Sequence, residues 1–325
     1  MSQTQFTDSI LDQAFDNLQI KDLSNADAVA TILDKFGLRW TVEKKPLMIR
    51  VKDEAGNYPY KPTGYFGIVR SDNHETFMTC TDQYKAFQNS ELAELLVRIG
   101  DKTGYEIHNG GMLNGGKRIY VQLDTHARLE NLGKNKTTVK GYLTALNSHD
   151  GSSPLKWGET NVTVCCRNTF AAAMRDMKNK ARHTVSIHDK VEASIMEITA
   201  IRAQEEKLFE RLKNMAEIPM NANHLRKIVQ KVTTVDILVP EQEAIKQYSS
   251  YAVNRKNELL QSIASEMRQK GETMWGAFSG VTHYTSHVLP VPKRDNARTE
   301  SKIMGSAAHL DNDAFTLISE LSGLN

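Results

Sequence analysis

The residues best suited to chemistry lie between Arg167 and Arg182, where Arg167, Arg175, Lys178, Lys180 and Arg182 stand against one acid, Asp176. Cations at this density can neutralise several phosphates, with binding that weakens as salt rises. A solvated helix face is the competing reading of the same run. A second basic cluster, Lys117, Arg118, His126, Arg128, Lys134, Lys136 and Lys140, is interleaved with Tyr120 and Tyr142. Strand-borne aromatics beside cations can stack unpaired bases while the cations hold the backbone. Tyrosines that are simply half-buried in a sheet give the same pattern.

Other constellations point to less. The run from His108 to Gly116 (HNGGMLNGG) lacks the GxxxxGK[ST] order of a phosphate loop, and Gly115-Gly116 between strand-like flanks reads as a hairpin turn. His183 and His188 are five apart and fall on different helix faces; His283 and His287 are at i and i+4, but without the glutamate of an HExxH motif. No metal and no cofactor are expected. Cys165 and Cys166 are adjacent, so on a strand they face opposite ways, and buried free cysteines behave as small hydrophobes.

The elements that must position these groups follow from texture. Asp8 to Gly37 reads as helical, with Ser24-Asn25 capping a second helix that stops at Gly37. The segments 38–51, 64–80, 105–123 and 137–147 are rich in Val, Ile, Tyr, Thr and Phe and broken by turn residues, which predicts antiparallel strands and hairpins. A helix from Ser90 to Ile99 interrupts them with a Leu92, Leu95, Leu96, Ile99 stripe. A strand from Asn161 to Cys165 precedes a helix expected to start at Phe170. Long helices are predicted over 185–215 and 240–271, and a short one over 310–321. The class is α+β: an antiparallel sheet with N-terminal helices, followed by a mostly helical C-terminal half. The expected divisions are an N-terminal helical segment (1–37), a strand-rich core (38–184) and a helical region (185–325) continuous with that core.

Composition sets the outer bounds. The 325 residues carry 41 Lys plus Arg against 39 Asp plus Glu, a net charge of +2, which excludes a chain that coats nucleic acid by bulk charge but not a local basic surface. Three cysteines do not make a secreted disulfide framework. With no signal-like start and no long apolar run, a cytoplasmic protein without a membrane segment is expected.

Three stretches carry a recognisable pattern. The first holds Tyr84, Gln88, Asn89, Gly111, Leu113, Gly115, Gly116 and Arg118 at the places of an "xxQN" element and a "GxLxGGxR" hairpin. The second holds Cys166, Asn168, Thr169, Arg182, His183 and Thr184 at those of a "C-x-N-T" turn and an "R-H-T" element; the third, weaker, holds Trp275, Tyr284 and His287. In this order they resemble a phage and plasmid family, domain of unknown function 932 (DUF932). The resemblance brings no settled activity. Its phage and plasmid setting implies the handling of replicating or recombining DNA in a bacterial cell.

The leading expectation is therefore a non-enzymatic nucleic-acid-binding accessory protein, with single-strand annealing and self-assembly among the forms it takes. Single-stranded DNA is preferred to duplex as the partner. Two alternatives stay open: a factor acting on a host protein through its C-terminal helices, and an enzyme built around Cys166, Asn168 and His183.

Overall fold

The structure, a computed structural model, describes residues 23–163, 179–184, 186–195, 198–293 and 297–323. The expected first helix before Ser24, the Arg167–Lys178 part of the basic run, and Cys165, Cys166, Asn168 and Thr169 lie outside the described residues. The chain divides into two compact units. The described residues of the first fall within Met1–Thr125, Leu143–Gly158 and Lys178–Ile198, and those of the second within 126–142, 159–163 and 199–325.

The first unit opens with helix α1 (Asn25–Lys35), capped by Ser24, whose side chain accepts from the Asp27 amide at 3.3 Å. Ala28 and Ile32 are its buried face, and Gly37 (φ +66°) takes the left-handed conformation that ends it. Strands β1 (Val42–Arg50), β2 (Tyr60–Arg70) and β3 (Thr76–Cys80) form an antiparallel sheet in the order β1-β2-β3. Helix α2 (Asn89–Thr103) buries the predicted Leu92, Leu95, Leu96, Ile99 stripe and ends at Gly104 (φ +75°).

The second sheet is a meander of β4 (Glu106–Leu113), β5 (Arg118–Leu132), β6 (Thr137–Ser148), β7 (Leu155–Thr163) and β8 (Asn179–Ala181), each beside the next. The turn between β4 and β5, Asn114–Gly116, is the tight turn expected of Gly115-Gly116. Gly116 (φ +96°) is required there twice over, since a Cβ would also lie 2.9 Å from Arg70 Nη1 and 3.0 Å from the Trp40 ring. Strand β8 shows that the end of the basic run, Asn179–Ala181, is not part of a helix face. Leu155 pairs with Ala181 and Trp157 with Asn179, and Leu155, Trp157 and Ala181 are all buried. Burial of that apolar face outweighs the helix propensity of an Ala- and Lys-containing run. Helix α3 (Ile187–Ile195) completes the unit.

The second unit takes the far ends of β5, β6 and β7 and is otherwise helical: α4 (Ile198–Glu217), α5 (Ala222–Thr233), α6 (Glu241–Gln247), α7 (Ser250–Lys270), α8 (Met274–His283), α9 (Ala297–Met304) and α10 (Ser306–Leu321). The described residues of the predicted 185–215 stretch are helical over Ile187–Ile195 and Ile198–Glu217. The predicted 240–271 helix is two, because Ser249 interrupts it and caps α7 by accepting from the Ala252 amide at 3.2 Å. Its core is formed by Leu212, Met215, Ile228, Val229, Leu259, Ile263, Trp275, Phe278, Val281 and Ile318. Helix α8 is buried from Met274 to Thr282. Its Gly280 sits where a Cβ would come 2.3 Å from the Ile263 Cα, so two helix backbones meet at a residue with no side chain. Among the described residues no helix is long and apolar enough to cross a membrane.

Candidate functional site

Of the family-like positions of the first unit, Gln88 and Asn89 bond main chain, and Tyr84, Asn89 and His183 lie in its buried or half-buried part. The Gln88 carboxamide accepts from the Val42 amide and donates to the Val42 carbonyl, both at 3.0 Å, which fixes the start of α2 to β1. The Asn89 amide donates to the carbonyls of Leu38 (3.0 Å) and Trp40 (2.9 Å), and its Oδ1 lies 2.8 Å from Nε2 of the fully buried His149. Since the Asn89 amide is committed as a donor, its oxygen accepts and His149 carries its proton on Nε2. Asn147, two residues earlier in β6, donates to the Phe87 carbonyl at 2.6 Å. Burial holds the His149 pKa down at about 3, and His183 is lowered for the same reason, so both rings are neutral. His183 stacks on Tyr84 with ring centroids 5.3 Å apart, and burial raises the Tyr84 hydroxyl pKa. Thr184 is exposed, its amide donating to the Arg182 carbonyl at 2.8 Å.

The predicted cations fall into two groups. Arg118 is drawn inward: its Nε donates to Ser152 Oγ at 2.9 Å, and the guanidinium lies 3.9 Å from Asp150. Lys117 is half-buried and 3.8 Å from Glu75, and the half-buried Tyr120 ring lies over its cross-strand neighbour Gly111. The remaining members of that cluster are split, because His126, Arg128, Lys134, Lys136 and Lys140 belong to the second unit. Lys180 and Arg182, by contrast, are exposed on and just after the short strand β8.

Directly opposite Lys180 in the register is Lys156, which the sequence reading overlooked. Leu155, Trp157 and Ala181 point into the core, so the alternation of the strands turns Lys156, Lys180 and Arg182 to the other side. Burial, with Lys180 beside it, lowers the Lys156 pKa. Like charges directly across a ladder destabilise it, and an anion bound between them reverses the sign.

A second surface missed in the sequence is the hairpin arm of β1 and β2. From Met48 to Tyr65 it is exposed on both faces: Met48 46%, Ile49 51%, Tyr58 52%, Tyr60 65% and Tyr65 54%. Arg50 pairs with Tyr60 and lies 5.3 Å above its ring; Lys52 and Lys61 flank them. The signal in the sequence was the Tyr58-Pro59-Tyr60-Lys61-Pro62 alternation, in which prolines mark the stretch of β2 that pairs with β1 alone. An open groove of about 450 Å³ lined by Leu33, Gly37, Arg39, Trp40 and Arg70 also lies in this unit. Its guanidiniums are committed, Arg39 to Asp34 and Arg70 to Asp72 at 2.6 Å, which leaves it no cationic character.

Among the described residues no group of three or more His, Cys, Asp or Glu side chains is placed to hold a metal ion. The predicted pair His283 and His287 has ring centroids 4.9 Å apart in the second unit, with His283 Nδ1 3.4 Å from Ser262 Oγ.

Neither the curated proteins nor the solved structures yield a match to the chain. A family model does match, over residues 77–308, a span that contains the Gln88–Asn89 cap, the Gly115-Gly116 turn, Lys156, Lys180 and His183 and leaves the β1–β2 arm outside it. That span is more than half of the 325 residues, and the chain belongs to the family described as Domain of unknown function (DUF932).

Proposed function

We propose that the protein binds single-stranded nucleic acid through the first unit, as an accessory factor of phage- or plasmid-type DNA metabolism. The observation that carries this reading is the cross-strand pair Lys156 and Lys180, continued by Arg182 and turned away from the core, with Lys156 lowered in basicity by burial and by Lys180 beside it. Phosphate is the ligand that relieves such a pair, and a run of phosphates suits a row of cations. The exposed tyrosines of the arm, with Arg50 over Tyr60, add faces on which unpaired bases stack, which favours single strands over duplex. Annealing of complementary strands, and self-assembly to support it, are part of this proposal.

Fluorescence anisotropy with a labelled single-stranded oligonucleotide across a salt series tests it. Replacing Lys156, Lys180 and Arg182 by Ala should weaken binding to all sequences alike and lower the salt slope by about 0.7 for each phosphate no longer neutralised. Unchanged affinity and slope would remove this patch from the interface. Replacing Tyr58, Tyr60 and Tyr65 by Ala should weaken binding with the salt slope intact.

A second reading, a factor that acts on a host protein, draws on a different surface. Leu238, Ile245 and Tyr251 are 67%, 59% and 57% exposed around α6 of the second unit, an apolar set of the kind that marks protein contacts. Tight association with a host protein and none with oligonucleotide at low salt would favour it.

A further inference from the structure

The buried polar region of the first unit holds hydrogen-bonding atoms that no group among the described residues satisfies. They are Nδ1 of His149, both ring nitrogens of His183, the hydroxyl of Tyr84, Oδ1 of Asn147 and, on a ring 5.3 Å from that of His149, Nε1 of Trp40. Main-chain groups of Lys85 and Ser153 lie near the His183 ring and favour its charged form, without reaching hydrogen-bond geometry. The atoms come from one locus. Tyr84 stacks on His183, the two histidines sense each other electrostatically, and Asn147 and His149 stand two residues apart at the end of β6.

The balance of donors and acceptors says what fits there. His149 has its proton on Nε2, given to Asn89, so Nδ1 presents a bare lone pair. Asn147 has its amide on the Phe87 carbonyl, so Oδ1 presents lone pairs as well. Tyr84, a neutral His183 and the Trp40 indole supply one donor each, against a larger number of lone pairs on His149, Asn147, His183 and the Tyr84 oxygen. The locus therefore lacks donors, and neither imidazole makes up the deficit by taking a proton. An anion is excluded by the excess of lone pairs. A metal ion is disfavoured by a set in which only two groups are common ligands. Water is small, neutral and doubly donating, and buried water characteristically makes about three hydrogen bonds to such groups.

We infer that the first unit encloses an ordered-water site built from Tyr84, Asn147, His149 and His183. Water there joins the Tyr84 turn, the β6 strand and the Arg182-His183-Thr184 segment, three stretches distant in sequence. It explains why polar side chains stand at core positions: each has one bond to protein or one stacked ring, and one valence for solvent.

The test is Tyr84→Phe, which deletes one oxygen and keeps the ring on His183, read by thermal melting of the full chain alongside a high-resolution crystal structure. If water bonds the hydroxyl, its loss strands a water partner, and the melting temperature falls by about 2–4 °C. Density for ordered water within hydrogen-bond reach of His149 Nδ1 and Asn147 Oδ1 should accompany it. A raised or unchanged melting temperature would show a dry hydroxyl and overturn the inference. Density for an organic molecule would do the same, as would a melting temperature that rises with added zinc and falls with chelator. Nitrogen-15 spectra of the histidines give an independent reading. His149 protonated on Nε2 with a hydrogen-bonded Nδ1 is expected, and a Nδ1 lone pair without a donor would refute it.

Discussion

The two units hold their buried polar clusters differently. In the second, Lys302 lies on Asp311, itself bonded by Thr285 at 2.6 Å, and Lys270 on Glu266 at 2.8 Å. In the first, Arg70 is held by Asp72, and the cluster of Asn89, Asn147, His149 and His183 consists of neutral amides and imidazoles with bonding capacity left over, while the cations Lys180 and Arg182 stay at the surface. A closed ion pair locks helices in one arrangement, since separating it leaves a bare charge in a dry interior. An open set of neutral groups holds segments in place and still has something to offer a ligand or solvent. On the proposed function, the closed pairs keep the helical unit rigid and the open groups lie in the unit that binds.

The strongest attempt to break that contrast is Lys302→Met. It leaves the Asp311 carboxylate buried without its partner, and a loss of about 3–5 kcal/mol is expected by chemical denaturation of the second unit. A Lys302→Met, Asp311→Asn double variant should recover most of it; failure to recover would mean the pair was not what held α9 to α10. Next in size is Gly280→Ala, where the new Cβ meets the Ile263 backbone: about 1–3 kcal/mol should be lost, with oligonucleotide binding unaffected below the melting temperature.

Acid sharpens the comparison because the signs differ. The folded pKa of His149, about 3, is below its ordinary value of 6.5, so the unfolded chain binds the extra proton between those values. Its contribution is complete above pH 6.5 and is lost as pH falls, by about 1.4 kcal/mol per pH unit for this one ring. Burial raises Asp311 to about 6 against the usual 3.8, with Lys302 and Thr285 pulling the other way. Here the folded state binds the extra proton, so the contribution is present below pH 3.8 and fades as pH rises through about 6. Melting each unit by residue-resolved hydrogen exchange between pH 4 and 7 should show the His149 slope removed by His149→Asn and the Asp311 slope removed by Asp311→Asn. The smallest effect is Lys180→Glu. Turning the Lys156 apposition into an opposite-charge pair should stabilise the first unit by about 0.2–1 kcal/mol while abolishing salt-dependent oligonucleotide binding. A stabilised variant that still binds would detach recognition from this strand.

Much of this was legible locally. The strands, the α2 stripe, the Ser24 cap and the Gly115-Gly116 turn are carried by alternation, 3.6-residue spacing and turn chemistry within a few residues of each other. Helix α8 was not, because Gly276 and Gly280 argue against a helix unless another backbone is packed against them. Strand β8 was not, because three residues become a strand only when Leu155–Trp157 offers them a partner. The cations read the same way in the sequence, yet Arg118 lies against Asp150 and Ser152 while Lys180 faces outward beside Lys156.

The sequence by itself determined the α+β class, the family resemblance and the residue types at its motif positions. Those depend on composition and short-range periodicity, which a chain carries before it folds. The tertiary structure alone decided that Gln88 bonds Val42, that Asn89 sets the tautomer of His149 sixty residues away, and which basic residues are committed inside the protein. A side chain has no burial, partner or pKa of its own until a distant segment is packed against it.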